Sequence, residues 1–207
     1  MSNTYIISEI GINHNGDLDL AKELINASAT AGANAVKLQK RTIDAVYTAE
    51  ELDKYRESPW GTTNREQKEG LEFTIEQYQE LQEYTEGLGL DFIVSCWDLN
   101  SLEEVSRNLK VRYHKIASAL ATDKSFLEAL NETGTPVILS TGMCTTSQIA
   151  AAMEILENVE YVLACTSTYP TKSEEINLRH IETLQDDYPY TKVGFSNHYS
   201  GHDAFVG

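Results

Sequence analysis

The chain has 207 residues, with 16 basic against 32 acidic side chains, a formal charge of −16 and 41% hydrophobic residues. It is apolar enough to bury a core and too acidic to grip a phosphate backbone, so disorder and nucleic-acid binding are excluded. No apolar run approaches the ~20 residues of a membrane span, and the start, MSNTYIISEI, lacks the basic flank and apolar stretch of a signal peptide.

Seven short apolar runs recur along the chain: 5–12, 35–39, 92–95, 113–116, 137–140, 161–164 and 193–196. Many of their residues are β-branched and none shows clean period-2 alternation, the pattern of strands buried on both faces of a parallel sheet. Amphipathic stretches lie between them. Leu18, Leu20, Ala21, Leu24, Ile25 and Ala27 form one apolar stripe, and Ile75, Tyr78, Leu81 and Leu88 another. Helix starts are expected at Asp17 and at the capping-box pairs Thr74/Gln77, Ser101/Glu104 and Thr145/Gln148. Gly32, Gly87 or Gly89, and Gly134 stand where left-handed helix ends are needed.

Strict βα alternation predicts a parallel sheet with right-handed crossovers, either an eight-stranded barrel or an open doubly wound sheet. No Gly-x-Gly-x-x-Gly follows the first strand, which weakens the dinucleotide-binding version. A long interruption, Thr42–Gly70, follows strand two on the face where barrel enzymes build their sites. No hinge-like linker breaks the chain, so residues 1–207 read as one domain.

The strand ends deliver polar residues. The first gives Glu9 and Asn13-His14-Asn15-Gly16; the second, Lys37 and Gln39, two apart and so on one side. The third gives Ser95-Cys96-Trp97-Asp98, the fourth Lys115 and Ser118, and the fifth Ser140. The sixth gives Ser167 and Tyr169, the seventh Ser196-Asn197-His198. A charge inside a buried strand costs several kcal/mol unless it is paired or binds a ligand. Two lysines in an acidic chain, ringed by hydroxyls, point to an anion such as phosphate or carboxylate; an internal Lys37–Glu9 pair is the plainer alternative. Lys115 could also form a Schiff base if desolvation lowered its pKa.

His198 suits metal ligation or acid–base work, and His202 faces the same way only if a helix begins at once. One histidine with one amide falls short of the three protein ligands usual for catalytic zinc. His14 is expected to order its polar turn, while His114 and His180 have no supporting context. Cys96, Cys144 and Cys165 include no Cys-x-x-Cys pair and read as packed, reduced thiols of a cytoplasmic protein. For Tyr169-Pro170 nothing local raises the general cis frequency of about 5–6%.

Taken together, Glu9–Gly16, Ala35–Gln39, Lys115–Ser118, Leu139–Met143, Cys165–Thr171 and Gly194–His198, with Ser58–Thr62 in the insert, resemble the sialic acid synthase family over essentially the whole chain. The resemblance implies a (β/α)8 TIM barrel, present as seven of its eight βα units, and a metal-dependent condensation of phosphoenolpyruvate with an N-acylhexosamine such as N-acetylmannosamine. The products would be a nine-carbon 2-keto sugar acid and phosphate. By motif, Lys37, Lys115, Ser95, Ser118, Ser140 and Ser196 would hold phosphoenolpyruvate. Ser167 and Tyr169 would lie at the junction of the two substrates, Glu9 beside the reacting carbons, and Gln39 against the sugar. His198 would ligate a divalent ion, manganese ahead of magnesium or cobalt, and the enzyme would be a homodimer or other homo-oligomer.

Three departures accompany the resemblance. Asn197 stands where the family has Asp, and Ala119-Leu120 replaces a Gly-Glu whose carboxylate would touch the amino sugar. The chain also reads as ending before the eighth strand, its second metal-binding histidine and the antifreeze-like domain. A catalytically silent fragment that still binds phosphoenolpyruvate or phosphate is the alternative function, and a Schiff-base aldolase using Lys115 a more distant one.

Overall fold

The computed structural model describes residues 4–201, so His202 lies outside the described residues. The chain divides into two compact units, Met1–Tyr113 and His114–Gly207.

In the first unit the elements run β1 (Ile7–Gly11), α1 (Leu18–Thr30), β2 (Ala35–Lys40), the short helices α2 (Ile43–Val46) and α3 (Ala49–Leu52), and the hairpin β3 (Tyr55–Ser58) and β4 (Gly61–Thr63). α4 (Asn64–Leu71), α5 (Ile75–Gly87), β5 (Asp91–Cys96) and α6 (Leu99–Asn108) complete it. β1, β2 and β5 pair in parallel, with Glu9 opposite Lys37 and Gln39 opposite Ser95. Register and parity decide what each face carries. Ser8 meets Ser28 of α1 at 2.7 Å, and Lys40 meets Glu104 of α6 at 3.1 Å, so these residues look toward the helices. Glu9, Lys37, Gln39 and Ser95 therefore share the opposite face.

Asp17 caps α1, and both oxygen–amide bonds of the capping box form at Thr74/Gln77. The expected start at Ser101/Glu104 is corrected. α6 begins at Leu99 under Asp98, whose carboxylate accepts from the Ser101 amide at 2.8 Å and the Ser101 hydroxyl at 2.6 Å. A carboxylate offers two oxygens and outcompetes a hydroxyl for the same amides. The insert holds a capping box that the sequence reading passed over, Thr63/Glu66. Its Trp60 lies across Gly70: a Cβ at Gly70 would sit 2.2 Å from the indole Cγ, and one at Gly16 (φ +70°) 2.0 Å from the Gly70 carbonyl oxygen.

The second unit runs β6 (His114–Ile116), a 3-10 turn (Ser118–Leu120), α7 (Lys124–Glu132), β7 (Val137–Ser140), α8 (Thr146–Ile155), β8 (Val159–Cys165), a second 3-10 turn (Ser173–Glu175), α9 (Arg179–Asp187) and β9 (Lys192–Ser196). β6, β7, β8 and β9 pair in parallel in that order. Val162, Ala164, Val193 and Phe195 pack against Ile181, Leu184 and Tyr188 of α9 and its end, which marks the helix side. Lys115 pairs with Ile138, Ser140 with Leu163, and Cys165 with Ser196. Parity puts these on the other face, so each unit presents lysine and serine away from its helices. Thr145/Gln148 forms its box, and Gly32, Gly89 and Gly134 take positive φ while Gly87 does not. The Tyr169–Pro170 bond is cis, against the sequence expectation.

Candidate active site

In the first unit Lys37 is 2% exposed and its ammonium lies 2.9 Å from Glu9, whose side chain is 45% exposed. The pair left open by the sequence is thus formed, with one end sealed and the other reachable. Ser95, across from Gln39, is 2% exposed, and its hydroxyl has no hydrogen-bond partner among the described residues. An unsatisfied buried hydroxyl costs about 1–3 kcal/mol, and this one sits at a strand end on the face shared with Lys37.

Two residues flank this set: Arg41, which the sequence reading did not single out, and Trp97, delivered by the third strand end. Arg41 is 6% exposed; its guanidinium donates to Gln39 Oε1 and, at 3.2 Å, to Glu72, and it lies 5.3 Å from the Trp97 ring. Trp97 extends the β2–β5 ladder through its amide, 3.0 Å from the Lys40 carbonyl, and its buried indole Nε1 has no partner among the described residues. Their signal was spacing: 37, 39, 41 and 95, 97 continue one parity past the strand ends. His14 stacks on Phe73 at 4.1 Å, and its Nδ1 accepts from the Gly16 amide at 3.1 Å. Burial holds its pKa down to about 4, so it is a neutral, turn-ordering residue as expected.

In the second unit Gly142 is the pivot. A Cβ there would lie 2.1 Å from the Ser167 hydroxyl, 2.9 Å from that of Ser118 and 3.1 Å from the Cys165 sulfur. The bare glycine lets those three groups converge beside Ser140, which is 2% exposed with its hydroxyl unpartnered among the described residues. His198 Nδ1 lies 2.7 Å from the Thr166 carbonyl and 4.0 Å from Cys165, while Nε2 lies 2.8 Å from the Tyr169 hydroxyl. A carbonyl only accepts, so the proton of the neutral ring belongs on Nδ1 and Nε2 keeps its lone pair. Burial raises the Cys165 thiol, but hydrogen bonding and charge from His198, with the Ser118 and Ser167 hydroxyls, outweigh it and bring the pKa to about 7. Asn197 accepts from the Tyr199 amide at 3.0 Å, and its Nδ2 is buried without a partner among the described residues.

Metal ligation meets a mixed fit. The Thr166 carbonyl sets His198 in the tautomer that ligating histidines adopt. Among the described residues, however, no three His, Cys, Asp or Glu side chains converge on a metal site. No helix among them is long and apolar enough to cross a membrane.

The sequence profile of the NeuB family matches residues 24–207. Human N-acetylneuraminate-9-phosphate synthase is 35% identical over 202 residues, covering 95% of this chain and 56% of that protein. N,N'-diacetyllegionaminic acid synthase of Legionella pneumophila is 34% identical over 208 residues, covering 95% and 58%. The chain therefore spans a little over half the length of these relatives. Among solved structures, N-acetylneuraminic acid synthetase of Leptospira borgpetersenii, in complex with citrate, superposes with a TM-score of 0.86 at 28% identity, covering 98% of this chain and 68% of that one. That likeness gives the fold class, a (β/α)8 TIM-barrel type, of which the described residues carry seven parallel strands.

Proposed function

The chain belongs to the NeuB family, and on that premise we propose that it condenses phosphoenolpyruvate with an N-acylhexosamine to give a nine-carbon 2-keto sugar acid and phosphate. The observation that carries this reading is a repeated one. In each unit a buried, unpartnered serine hydroxyl, Ser95 or Ser140, shares a strand face with a lysine, Lys37 or Lys115. Lysine with hydroxyl donors suits a substrate carrying both carboxylate and phosphate, and the relative solved with citrate bound a polycarboxylate.

In the reaction C3 of phosphoenolpyruvate bonds to the sugar aldehyde carbon, water adds at C2 and the tetrahedral intermediate expels phosphate. From the first unit we assign Lys37 and Ser95 to the anionic substrate and Gln39 to the sugar. An anion that takes Lys37 from Glu9 releases the exposed Glu9 carboxylate beside the reacting carbons. From the second unit we assign Lys115, Ser118, Ser140 and Ser196 to phosphoenolpyruvate, and Ser167 and Tyr169 to the junction of the substrates. Lysine and hydroxyl donors held in place before reaction stabilise developing charge without reorganising. His198 Nε2 is the one described ligand for a divalent ion, manganese first, which when bound would polarise the aldehyde oxygen; its remaining ligands would come from outside the described residues, from water or from substrate.

The test is phosphate release from phosphoenolpyruvate by the full-length protein with manganese and a panel of hexosamines. Release only in the presence of an N-acylated sugar is expected, and its absence across the panel would overturn the reading. One alternative is a phosphoenolpyruvate-binding protein without turnover, since among the described residues no three His, Cys, Asp or Glu side chains converge on a metal site. Calorimetric binding by residues 1–207 with no phosphate release would identify that state.

A further inference from the structure

The segment that follows β8 is held in a closed ring of hydrogen bonds. Thr166 and Thr168 both turn their hydroxyls to Glu175, at the end of the second 3-10 turn. The first donates to the Glu175 carbonyl at 3.2 Å and the second to its carboxylate at 2.8 Å, where the Lys172 amide also donates at 3.0 Å. Ser167, between them, lies the other way, toward Gly142. Thr171 closes the ring from inside and is 3% exposed. Its hydroxyl lies 2.9 Å from the Thr168 carbonyl and 3.4 Å from that of Thr166, and its amide donates to the His198 carbonyl at 3.0 Å. A hydroxyl has one hydrogen to give. Thr171 therefore donates chiefly to Thr168, which leaves the Thr166 carbonyl to the His198 Nδ1 proton at 2.7 Å.

We propose that Thr171 is a positioning residue for the condensation: it ties the carbonyls on either side of Ser167 to the backbone of His198, so that Ser167, Tyr169 and His198 are set as one unit, with Glu175 fastening the outer side. The inference rests on the synthase reading above and adds to it a buried residue that acts through its neighbours. The two fastenings differ in strength. Thr171 sits away from water, so deleting its hydroxyl removes the link outright. Glu175 and Thr168 are exposed, so water takes over part of what the carboxylate does there. The groups assigned to phosphoenolpyruvate, Lys115, Ser118, Ser140 and Ser196, belong to other strand ends and make none of these bonds. Loosening the ring should therefore disturb the junction of the substrates and spare the anchoring of phosphoenolpyruvate.

The experiment is steady-state phosphate release and phosphoenolpyruvate calorimetry on the full-length protein, with hydrogen exchange of the 166–171 segment, for Thr171→Val, Thr171→Ser and Glu175→Ala. A misplacement of about 1 Å costs up to about 100-fold in rate. Thr171→Val is therefore expected to lower kcat by about 10- to 100-fold, with the Kd for phosphoenolpyruvate within about threefold of wild type. Its 166–171 amides should exchange at least about tenfold faster. Thr171→Ser keeps the hydroxyl and should return kcat to within about threefold of wild type. Glu175→Ala, at an exposed position, should fold whether or not Thr171→Val does, and should lower kcat by roughly 3- to 12-fold. A residue that served stability alone would lower Tm and leave the kcat of the folded protein unchanged. That result in Thr171→Val, or in Glu175→Ala where Thr171→Val does not fold, would overturn the proposal. So would a Kd that rises as much as kcat falls, or exchange of the segment equal to wild type. A wild-type protein that releases no phosphate with any sugar would remove the synthase reading and this role with it, whereas the failures just named all occur in an active enzyme.

Discussion

Replacing Ser95 or Ser140 by alanine should move stability and ligand affinity in opposite directions. Each hydroxyl is buried in a residue 2% exposed and has no partner among the described residues. A buried hydroxyl left without a hydrogen-bond partner costs about 1–3 kcal/mol. Deleting one oxygen opens a space of about 10 Å³, which at ~24 cal/mol per Å³ costs about 0.2 kcal/mol. The net gain is therefore about 1–3 kcal/mol for each substitution, which raises Tm by roughly 2–11 °C in a chain of this size. The same hydroxyl donated to a carboxylate or phosphate oxygen is worth about 1.5–3 kcal/mol, so affinity for phosphoenolpyruvate should fall by roughly 10- to 150-fold. Thermal unfolding followed by circular dichroism gives the first quantity and titration calorimetry the second. A variant that melts below wild type, or binds phosphoenolpyruvate within about twofold of it, would refute the idea that these hydroxyls are held ready for a ligand.

Acidification should destabilise the fold through two neutral imidazoles. Burial is the leading cause that holds His14 and His114 down to about 4. Between pH 6.5 and 4 the unfolded chain therefore binds protons that the folded chain refuses, and stability present above pH 6.5 is lost as pH falls through that window. Linkage gives about 2 kcal/mol per histidine at pH 5; urea unfolding at pH 7, 6 and 5 checks it, and a slope unaltered in His14→Phe would count against the His14 share. Gly142→Ala should cost about 1–3 kcal/mol by overpacking, because its methyl would lie 2.1 Å from the Ser167 hydroxyl and 2.9 Å from that of Ser118. Phosphoenolpyruvate affinity should fall with it, and a variant that matches wild type in both calorimetry and Tm would show that the convergence at Gly142 is not needed.

The strands were legible because a parallel strand covered on both faces must be a short apolar run: Val137–Ser140 was read to the residue, and the other six to within two residues at either end. Lys37 and Lys115 stood out for the same reason, as charges in such runs. The insert was not legible as structure. α2 and α3 have four residues each and β4 has three, too few for any hydrophobic period to show. Arg41 lies just past the end of β2, where the apolar run stops although the parity continues, whereas Trp97 was named at the end of the third run. The competition between Asp98 and Ser101 for the start of α6 turned on which side chain reaches the free amides, and the unpartnered state of Ser95 and Ser140 depends on what the folded chain brings near them. Neither is written in local sequence.

The contact of Gly16, Gly70 and Trp60 ties the first βα turn to the far end of the insert. Since neither glycine can carry a side chain without displacing backbone or indole, the three positions constrain one another sterically. A chimaera that imports the 42–70 segment from another family member will seat it only if the donor segment brings its own small residue at 70 and the recipient keeps Gly16. Variation at any one of the three should be matched by change at the others.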